Sequence, residues 1–164
     1  MRFVAILMGS KSDYEAMCEA EKILAKFGVK HELIITSAHR SPQRTKDYIK
    51  EAEKKGAQVF IAAAGMAAHL AGAVAAYTTK PVLGVPMSGS ALGSMDSLFS
   101  TVQMPSGIPV GTLAIGKAGA VNAAYLAVQI LALNDGGLEA ALKEDRKSRE
   151  EGLVADSKSV EVIL

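Results

Sequence analysis

One histidine and the residues beside it carry the clearest chemistry in this sequence. His39 lies in the segment Ser37-Ala38-His39-Arg40, which follows the apolar run 33–36 and precedes Ser41-Pro42, a typical start of a helix. Imidazole both gives and takes a proton near neutral pH, and an arginine can bind a phosphate through its planar fork of donors. The segment predicts a proton carrier beside an anion site. The alternative is a solvated loop histidine next to a surface ion pair.

A second segment, Gly9-Ser10-Lys11-Ser12-Asp13, follows the first apolar run of the chain. Its glycine permits a tight turn, its serines offer hydroxyl groups, and the start of a helix offers unpaired N–H groups to an anion. The carboxylate of Asp13 suits sugar hydroxyls better than phosphate, so the expected ligand carries both. We therefore expect Gly9, Ser10, Ser12 and Asp13 to bind substrate. Ordinary helix capping by Ser12 or Asp13 is the alternative.

A third segment, residues 64–72, consists mostly of alanine and glycine. Its small side chains would let a flat ring or a carboxylate lie against the backbone, and a helix start would supply N–H groups. The residues expected to bind substrate here are Ala64, Gly65, Ala67, Ala68, His69 and Leu70. His69 would orient a substrate group, although a capping or core histidine explains it equally well. For the segment as a whole, the alternative is close packing of helix against sheet.

The elements that position these segments follow from the hydrophobic pattern. Uniformly apolar runs predict strands over 3–8, 30–36, 59–63, 81–85 and 110–115. Helical patterns over 13–27, 42–55 and 66–77 separate the first four of these predicted strands. Such strands indicate a parallel sheet covered on both faces, a three-layer αβα, flavodoxin-like, doubly wound α/β fold. The carboxyl ends of parallel strands share one edge, so the three segments should meet in a ligand site.

The remaining chain predicts assembly with other copies. The stretch 118–133 has almost no polar face beyond Asn122 and Gln129, which indicates a helix buried on more than one side at a subunit contact. A charged helix over about 138–151 follows. Residues 152–164 read as a tail or an exchanged arm. We expect one catalytic domain over 1–164, in a homo-oligomer.

Composition excludes several classes of partner. The 164 residues carry a formal net charge of +1 and no basic cluster with interleaved aromatics, which argues against binding nucleic acid. No apolar run is long enough to span a membrane. The single cysteine has no partner for a disulfide and no metal-ligand spacing around it, so we expect a cytoplasmic protein without a metal.

The same segments carry a family resemblance. The motifs at 9–13, 37–40 and 67–70, together with matching stretches over 96–124, resemble the bacterial N5-carboxyaminoimidazole ribonucleotide mutases of purine biosynthesis. The resemblance implies an octamer that moves a carboxylate from the exocyclic nitrogen of a phosphoribosyl aminoimidazole to ring carbon C4, without ATP, metal or organic cofactor. It also implies that Ser10, Asp13 and Arg40 bind substrate and that His39 is the general acid and base.

The sequence departs from the family pattern at a few positions. Met66 replaces the usual glycine, Ala71 replaces the usual proline, and Gly93-Ser94 differs from the usual order. Two other functions stay open. A related branch carboxylates aminoimidazole ribonucleotide directly with carbon dioxide, but it typically has lysine at the position of Arg40. A noncatalytic nucleotide-binding module would bind the ligand without turnover.

Overall fold

A five-stranded, all-parallel sheet forms the centre of the computed structural model, which describes residues 2–163. The strand order is β2-β1-β3-β4-β5. This is the flavodoxin-like order, in which a ligand crevice is expected beside the switch point between β1 and β3. The predicted fold class is confirmed. The strands are β1 (Phe3–Met8), β2 (His31–Ile35), β3 (Ala57–Ala64), β4 (Val82–Pro86) and β5 (Gly111–Thr112).

Six α-helices connect and follow these strands in the described residues. They are α1 (Tyr14–Lys26, after a 3-10 turn at Lys11–Asp13), α2 (Pro42–Lys55), α3 (Leu70–Ala75), α4 (Met95–Val102), α5 (Lys117–Ala132) and α6 (Gly136–Val160). Helix α2 has the predicted bounds because both signals are strong. Pro42 starts it, and Gly56 ends it in the left-handed conformation (φ 109°), with its N–H donated to the carbonyl of Ala52.

The core lies on both faces of the sheet. Phe3, Ala5 and Leu7 of β1 belong to a buried cluster with side chains from α2 and α3. The alternate residues, Val4 and Ile6, are equally inaccessible. Since successive side chains of a strand point to opposite faces, β1 is covered on both sides, as its uniformly apolar sequence predicts.

Backbone hydrogen bonds continue the sheet just past the ends of its strands. The N–H of Gly9 donates to the carbonyl of Ala63 (3.0 Å), and that of Thr36 donates to the carbonyl of Met8 (2.9 Å). The N–H of Met87 donates to Ala64 in the same way (2.9 Å). The loops after β1, β2 and β4 therefore start from fixed positions on one edge.

Several predicted boundaries are wrong. The helix expected over 66–77 covers only α3, because Met66 has a left-handed backbone (φ 54°) that no helix accepts. Strand β5 keeps two residues of the predicted 110–115. Helix α4 was not predicted, and α6 continues to Val160 rather than ending near 151.

The chain divides into two compact units, one through Val128 and one from Gln129 onward. In the second, the carboxylate of Asp135 caps α6 by accepting the N–H groups of Gly137 and Leu138 (3.1 and 3.2 Å). No residue of α6 is buried. Leu164, the last residue of the predicted arm, lies outside the described residues. Within 2–163, no helix combines the length and hydrophobicity that crossing a membrane requires.

Candidate active site

A cavity of about 590 Å³ opens at the carboxyl edge of the sheet and brings the three predicted segments together. Of the predicted site residues, only Ala68 is absent from its lining, because that side chain is buried at 1% exposure. The predicted residues in the lining are Gly9, Ser10, Ser12, Asp13, Ser37, Ala38, His39, Arg40, Ala64, Gly65, Ala67, His69 and Leu70.

The loop after β1 is held by a capping box. Ser10, not Ser12 or Asp13, is the capping residue: its Oγ accepts the N–H of Ser12 (3.3 Å), and the carboxylate of Asp13 accepts the N–H of Ser10 (3.1 Å). The hydroxyl of Ser12 also donates to Ser10 Oγ (2.9 Å). These reciprocal bonds fix the first turn of the 3-10 helix. They place two hydroxyls and a carboxylate at one end of the cavity.

The loop after β2 rests on a chain of hydroxyl groups. The buried side chains of Thr36 and Thr45 are hydrogen-bonded to each other (2.8 Å), and the N–H of Ser37 donates to Ser41 Oγ (2.9 Å). Ser37 Oγ in turn accepts the N–H groups of His39 (3.3 Å) and Arg40 (3.0 Å). This network sets the backbone position of the predicted proton carrier.

The two histidines of the cavity contact each other. Nε2 of His39 lies 2.7 Å from Nδ1 of His69, with the rings at 79°. Such a bond needs an N–H on one ring and a lone pair on the other, so the pair carries at most one positive charge while the bond is intact. His69 is exposed, and its side chain makes no helix-capping bond. The capping and core alternatives for His69 are therefore wrong.

Arg40 joins two of the loops. Its guanidinium donates to the carbonyl of Gly9 (3.1 Å), which ties the loop after β2 to the loop after β1. That bond uses one of the five N–H donors of the guanidinium group. The side chain is thus held beside the serine hydroxyls, in a position to bind an anion.

Burial changes the titration of Asp13. Desolvation raises the pKa of this carboxyl group above its usual value, and the hydrogen bond from the N–H of Ser10 partly opposes the increase. Because the folded state keeps the proton to a higher pH than the unfolded chain does, ionisation of Asp13 costs stability as the pH rises through the raised pKa.

We expect Asp13→Asn to reveal this cost. The amide oxygen of asparagine can still accept the N–H of Ser10, but it cannot ionise. The free energy of unfolding of the variant, relative to that of the wild type, should increase as the pH rises from acid toward neutral. Urea denaturation over a pH series measures this difference. A difference that falls with increasing pH would contradict the assignment.

Sequence reasoning missed one wall of the cavity. Ser88, Gly89 and Ser90 follow β4 and line it together with the three predicted segments. Ser90 Oγ donates to the carboxylate of Asp96 at the start of α4 (2.6 Å). Because all parallel strands end at the same edge, the loop after the fourth predicted strand lies beside the first three loops.

An all-parallel sheet in this order, with a cavity at its carboxyl edge, defines a flavodoxin-like α/β protein with a candidate ligand site. Within residues 2–163, no three His, Cys, Asp or Glu side chains are grouped so that they could hold a metal ion.

Residues 3–152 match the family model described as AIR carboxylase, and the chain belongs to that family. It is 55% identical to the N5-carboxyaminoimidazole ribonucleotide mutase of Escherichia coli strain K12 over 146 residues, which cover 89% of this chain and 86% of that protein. The mutase of Vibrio parahaemolyticus is 51% identical over 158 residues, covering 96% and 98%. The crystal structure of Treponema denticola PurE superposes with a TM-score of 0.89 at 26% identity, covering 99% of this chain and 100% of that one. The predicted family is confirmed.

Proposed function

We propose that this chain is a mutase that converts N5-carboxyaminoimidazole ribonucleotide to 4-carboxy-5-aminoimidazole ribonucleotide in purine biosynthesis. The observation that carries the proposal is the cavity that places His39 against His69 and beside Arg40 and the capped serine loop. Identity of 51–55% to relatives named as this mutase supports it. Arginine at position 40 favours the mutase over the branch that carboxylates aminoimidazole ribonucleotide directly.

The polar end of the cavity would bind the phosphoribosyl group. Phosphate suits the guanidinium of Arg40 and the hydroxyl groups of Ser10 and Ser12, because all of them can donate hydrogen bonds to an anion. The carboxylate of Asp13 accepts hydrogen bonds from ribose hydroxyls. This arrangement directs the aminoimidazole ring toward the histidine pair and the small residues after β3.

His39 would move one proton between two positions on the substrate. As general acid it protonates the carbamate nitrogen, the bond from nitrogen to the carboxylate carbon breaks, and carbon dioxide is released into the cavity. C4 of the electron-rich ring then attacks that carbon dioxide. The proton on C4 returns to His39 as the ring regains aromaticity. Protons and electron pairs balance within these steps, so the reaction needs no oxidant or reductant.

The test is a comparison of two substrates. The purified protein is given N5-carboxyaminoimidazole ribonucleotide, and separately aminoimidazole ribonucleotide with bicarbonate, while the absorbance of the C4-carboxylated product is followed. We expect turnover of the first at much lower concentration than of the second. Efficient use of the second alone would identify a carboxylase. Binding of both without turnover would identify a noncatalytic module.

We also propose that the protein is a cytoplasmic homo-octamer. Helix α4 and the turn before it expose a row of apolar side chains at helical spacing, Leu92, Met95, Phe99 and Val102. Monomers rarely leave such a contiguous apolar patch uncovered. Residues 152–163 are also exposed throughout. They include the apolar side chains Leu153, Val154, Val160, Val162 and Ile163. This exposure supports the proposal that 152–164 is an arm of the single catalytic domain, exchanged between copies of the chain.

Phe99→Glu should break this assembly. A carboxylate in the middle of the apolar row would have to be buried without a partner charge at the subunit contact. Sedimentation velocity should therefore show smaller species for Phe99→Glu and the full assembly for Gln43→Glu, which adds the same charge on the exposed side of α2. If Phe99→Glu sedimented like the wild type, the apolar row of α4 would not be part of the subunit contact.

A further inference from the structure

Two hydroxyl groups are buried beneath the loop that carries His39. Thr36, directly after β2, is 2% exposed, and Thr45, near the start of α2, is 1% exposed. Threonine side chains are mostly exposed in proteins, because a hydroxyl group removed from water must find a hydrogen-bond partner. Neither residue lines the cavity. Any role that they have in the reaction is therefore exerted through the loop above them.

Each of these hydroxyl groups has one hydrogen to donate, and the distances show where it goes. Thr45 Oγ1 donates to the carbonyl of Ser41 (3.2 Å), which is closer than that of Ser37 (3.5 Å). Ser41 Oγ donates to the carbonyl of Ser37 (3.3 Å). The hydrogen of Thr36 is left with two acceptors, Thr45 Oγ1 at 2.8 Å and Ser41 Oγ at 3.3 Å. The shorter contact assigns this hydrogen to Thr45.

The second acceptor, Ser41 Oγ, closes the loop that carries His39. It accepts the N–H of Ser37 (2.9 Å), and the N–H of Ser41 donates back to the carbonyl of Ser37 (3.0 Å). These two bonds join the ends of a turn in which His39 and Arg40 lie. A hydroxyl group that competed for Ser41 Oγ would pull on this closure and move the backbone of the turn.

We propose that Thr45 is a positioning residue for His39: by accepting the hydrogen of Thr36, it keeps that hydroxyl group from competing for Ser41 Oγ. The inference rests on the proposed function, in which His39 carries the proton. Without the hydroxyl group of Thr45, Ser41 Oγ is the remaining acceptor of the two, and an unmade hydrogen bond at the buried Thr36 is costly. The turn then shifts toward Thr36, and the proton carrier leaves its working position.

Such a shift affects proton transfer more than substrate binding. The guanidinium of Arg40 is held separately by the carbonyl of Gly9 (3.1 Å), and the N–H of Gly9 is bonded to Ala63 of the sheet. Among the described residues, the ring of His39 is hydrogen-bonded only to His69, which itself lies in a loop. We therefore expect loss of the Thr45 hydroxyl group to lower kcat and to leave KM nearly unchanged.

Four variants test the network: Thr45→Val, Thr45→Ser, Thr36→Val and the double variant Thr36→Val/Thr45→Val. Valine keeps the shape of threonine and removes its hydroxyl group. We expect Thr45→Val to lower kcat on N5-carboxyaminoimidazole ribonucleotide roughly 10-fold, with KM within about twofold of the wild type, since misplacement by ~1 Å can cost ~10²-fold. Thr45→Ser keeps the acceptor and should retain wild-type kcat.

The valine variants separate positioning from simple loss of a hydroxyl group. Thr36→Val removes the competing group and leaves Thr45 bonded to the carbonyl of Ser41, so its kcat should match that of the wild type. For the same reason, the double variant should recover the kcat that Thr45→Val loses, because no buried hydroxyl group is left unpaired. Urea denaturation of every variant shows whether it is folded under the assay conditions.

The inference fails if Thr36→Val loses as much activity as Thr45→Val, or if Thr45→Val keeps wild-type kcat. It also fails if the double variant does not recover, and that measurement decides the matter if Thr45→Val is too unstable to assay. A loss in Thr45→Ser equal to that in Thr45→Val would assign the effect to packing instead. All of these results leave the mutase proposal intact. Absence of turnover in the wild type would overturn both proposals.

Discussion

His39→Asn is expected to lower kcat on N5-carboxyaminoimidazole ribonucleotide by ~10²–10⁴-fold, the range typical for loss of a general acid and base. Asparagine preserves hydrogen bonding at this position but cannot give a proton to the carbamate nitrogen or accept the proton that leaves C4. His39 is exposed, so its replacement should leave the core and the free energy of unfolding nearly unchanged. Initial rates, followed by product absorbance, measure the loss.

A matched substitution controls for the removal of an imidazole. His31→Asn makes the same chemical change at the start of β2, where the ring contacts the carbonyl of Val29 (3.1 Å) and does not line the cavity. We expect it to retain wild-type kcat. Full activity of His39→Asn would eliminate the proposed proton shuttle. Equal losses in both variants would show that the effect arises through stability.

Gly119→Ala should strongly destabilise the fold. Gly119 lies in the first turn of α5, and a Cβ there would overlap the carbonyl oxygen of Ala114 and lie 2.7 Å from its carbonyl carbon. A backbone group cannot move aside as a flexible side chain can. We expect the free energy of unfolding to fall by more than the ~1–3 kcal/mol usual for an overpacked core. Urea denaturation measures this change.

Gly152→Ala is the control for the intrinsic helix preference of alanine. Gly152 lies within α6, and a Cβ there would meet nothing within 4 Å. Alanine at that position should stabilise the helix by about 0.5–1 kcal/mol, because glycine loses more backbone entropy on folding. If Gly119→Ala were as stable as the wild type, the start of α5 would have to shift away from Ala114.

The sequence predicts the elements whose signals are local. Helix α2 has a proline start and a glycine end, and β1 is a short apolar run between polar residues, so both have the predicted bounds. Helix α4 has neither a proline at its start nor a glycine at its end. Glycine and serine precede it, which is more typical of a loop. Its apolar residues Met95, Phe99 and Val102 are exposed, so they do not mark a buried face. The late start of α3 depends on the left-handed backbone of Met66. Methionine rarely adopts that conformation, so its presence in the sequence does not predict it.

The candidate site was predictable through topology rather than through its contacts. Three segments could be assigned to one edge because parallel strands end together, and that placement is correct. The bond between His39 and His69 joins residues 30 positions apart, and no pattern in the sequence pairs those rings. Likewise, the capping role of Ser10 depends on a single turn of 3-10 helix, which the sequence does not distinguish from a regular helix start.

The hydrogen bonds that extend the sheet past its strands distinguish the base of the site, which belongs to the sheet, from the loop residues above it. The amides of Gly9, Thr36 and Met87 belong to the ladder of the central sheet, so their exchange with solvent requires the sheet to open. The next amides, those of Ser10 and Ser37, donate to side chains within their own loops instead, to Asp13 and Ser41. We therefore expect hydrogen exchange measured with and without ligand to change in the loop residues above the sheet and to stay the same at Gly9, Thr36 and Met87.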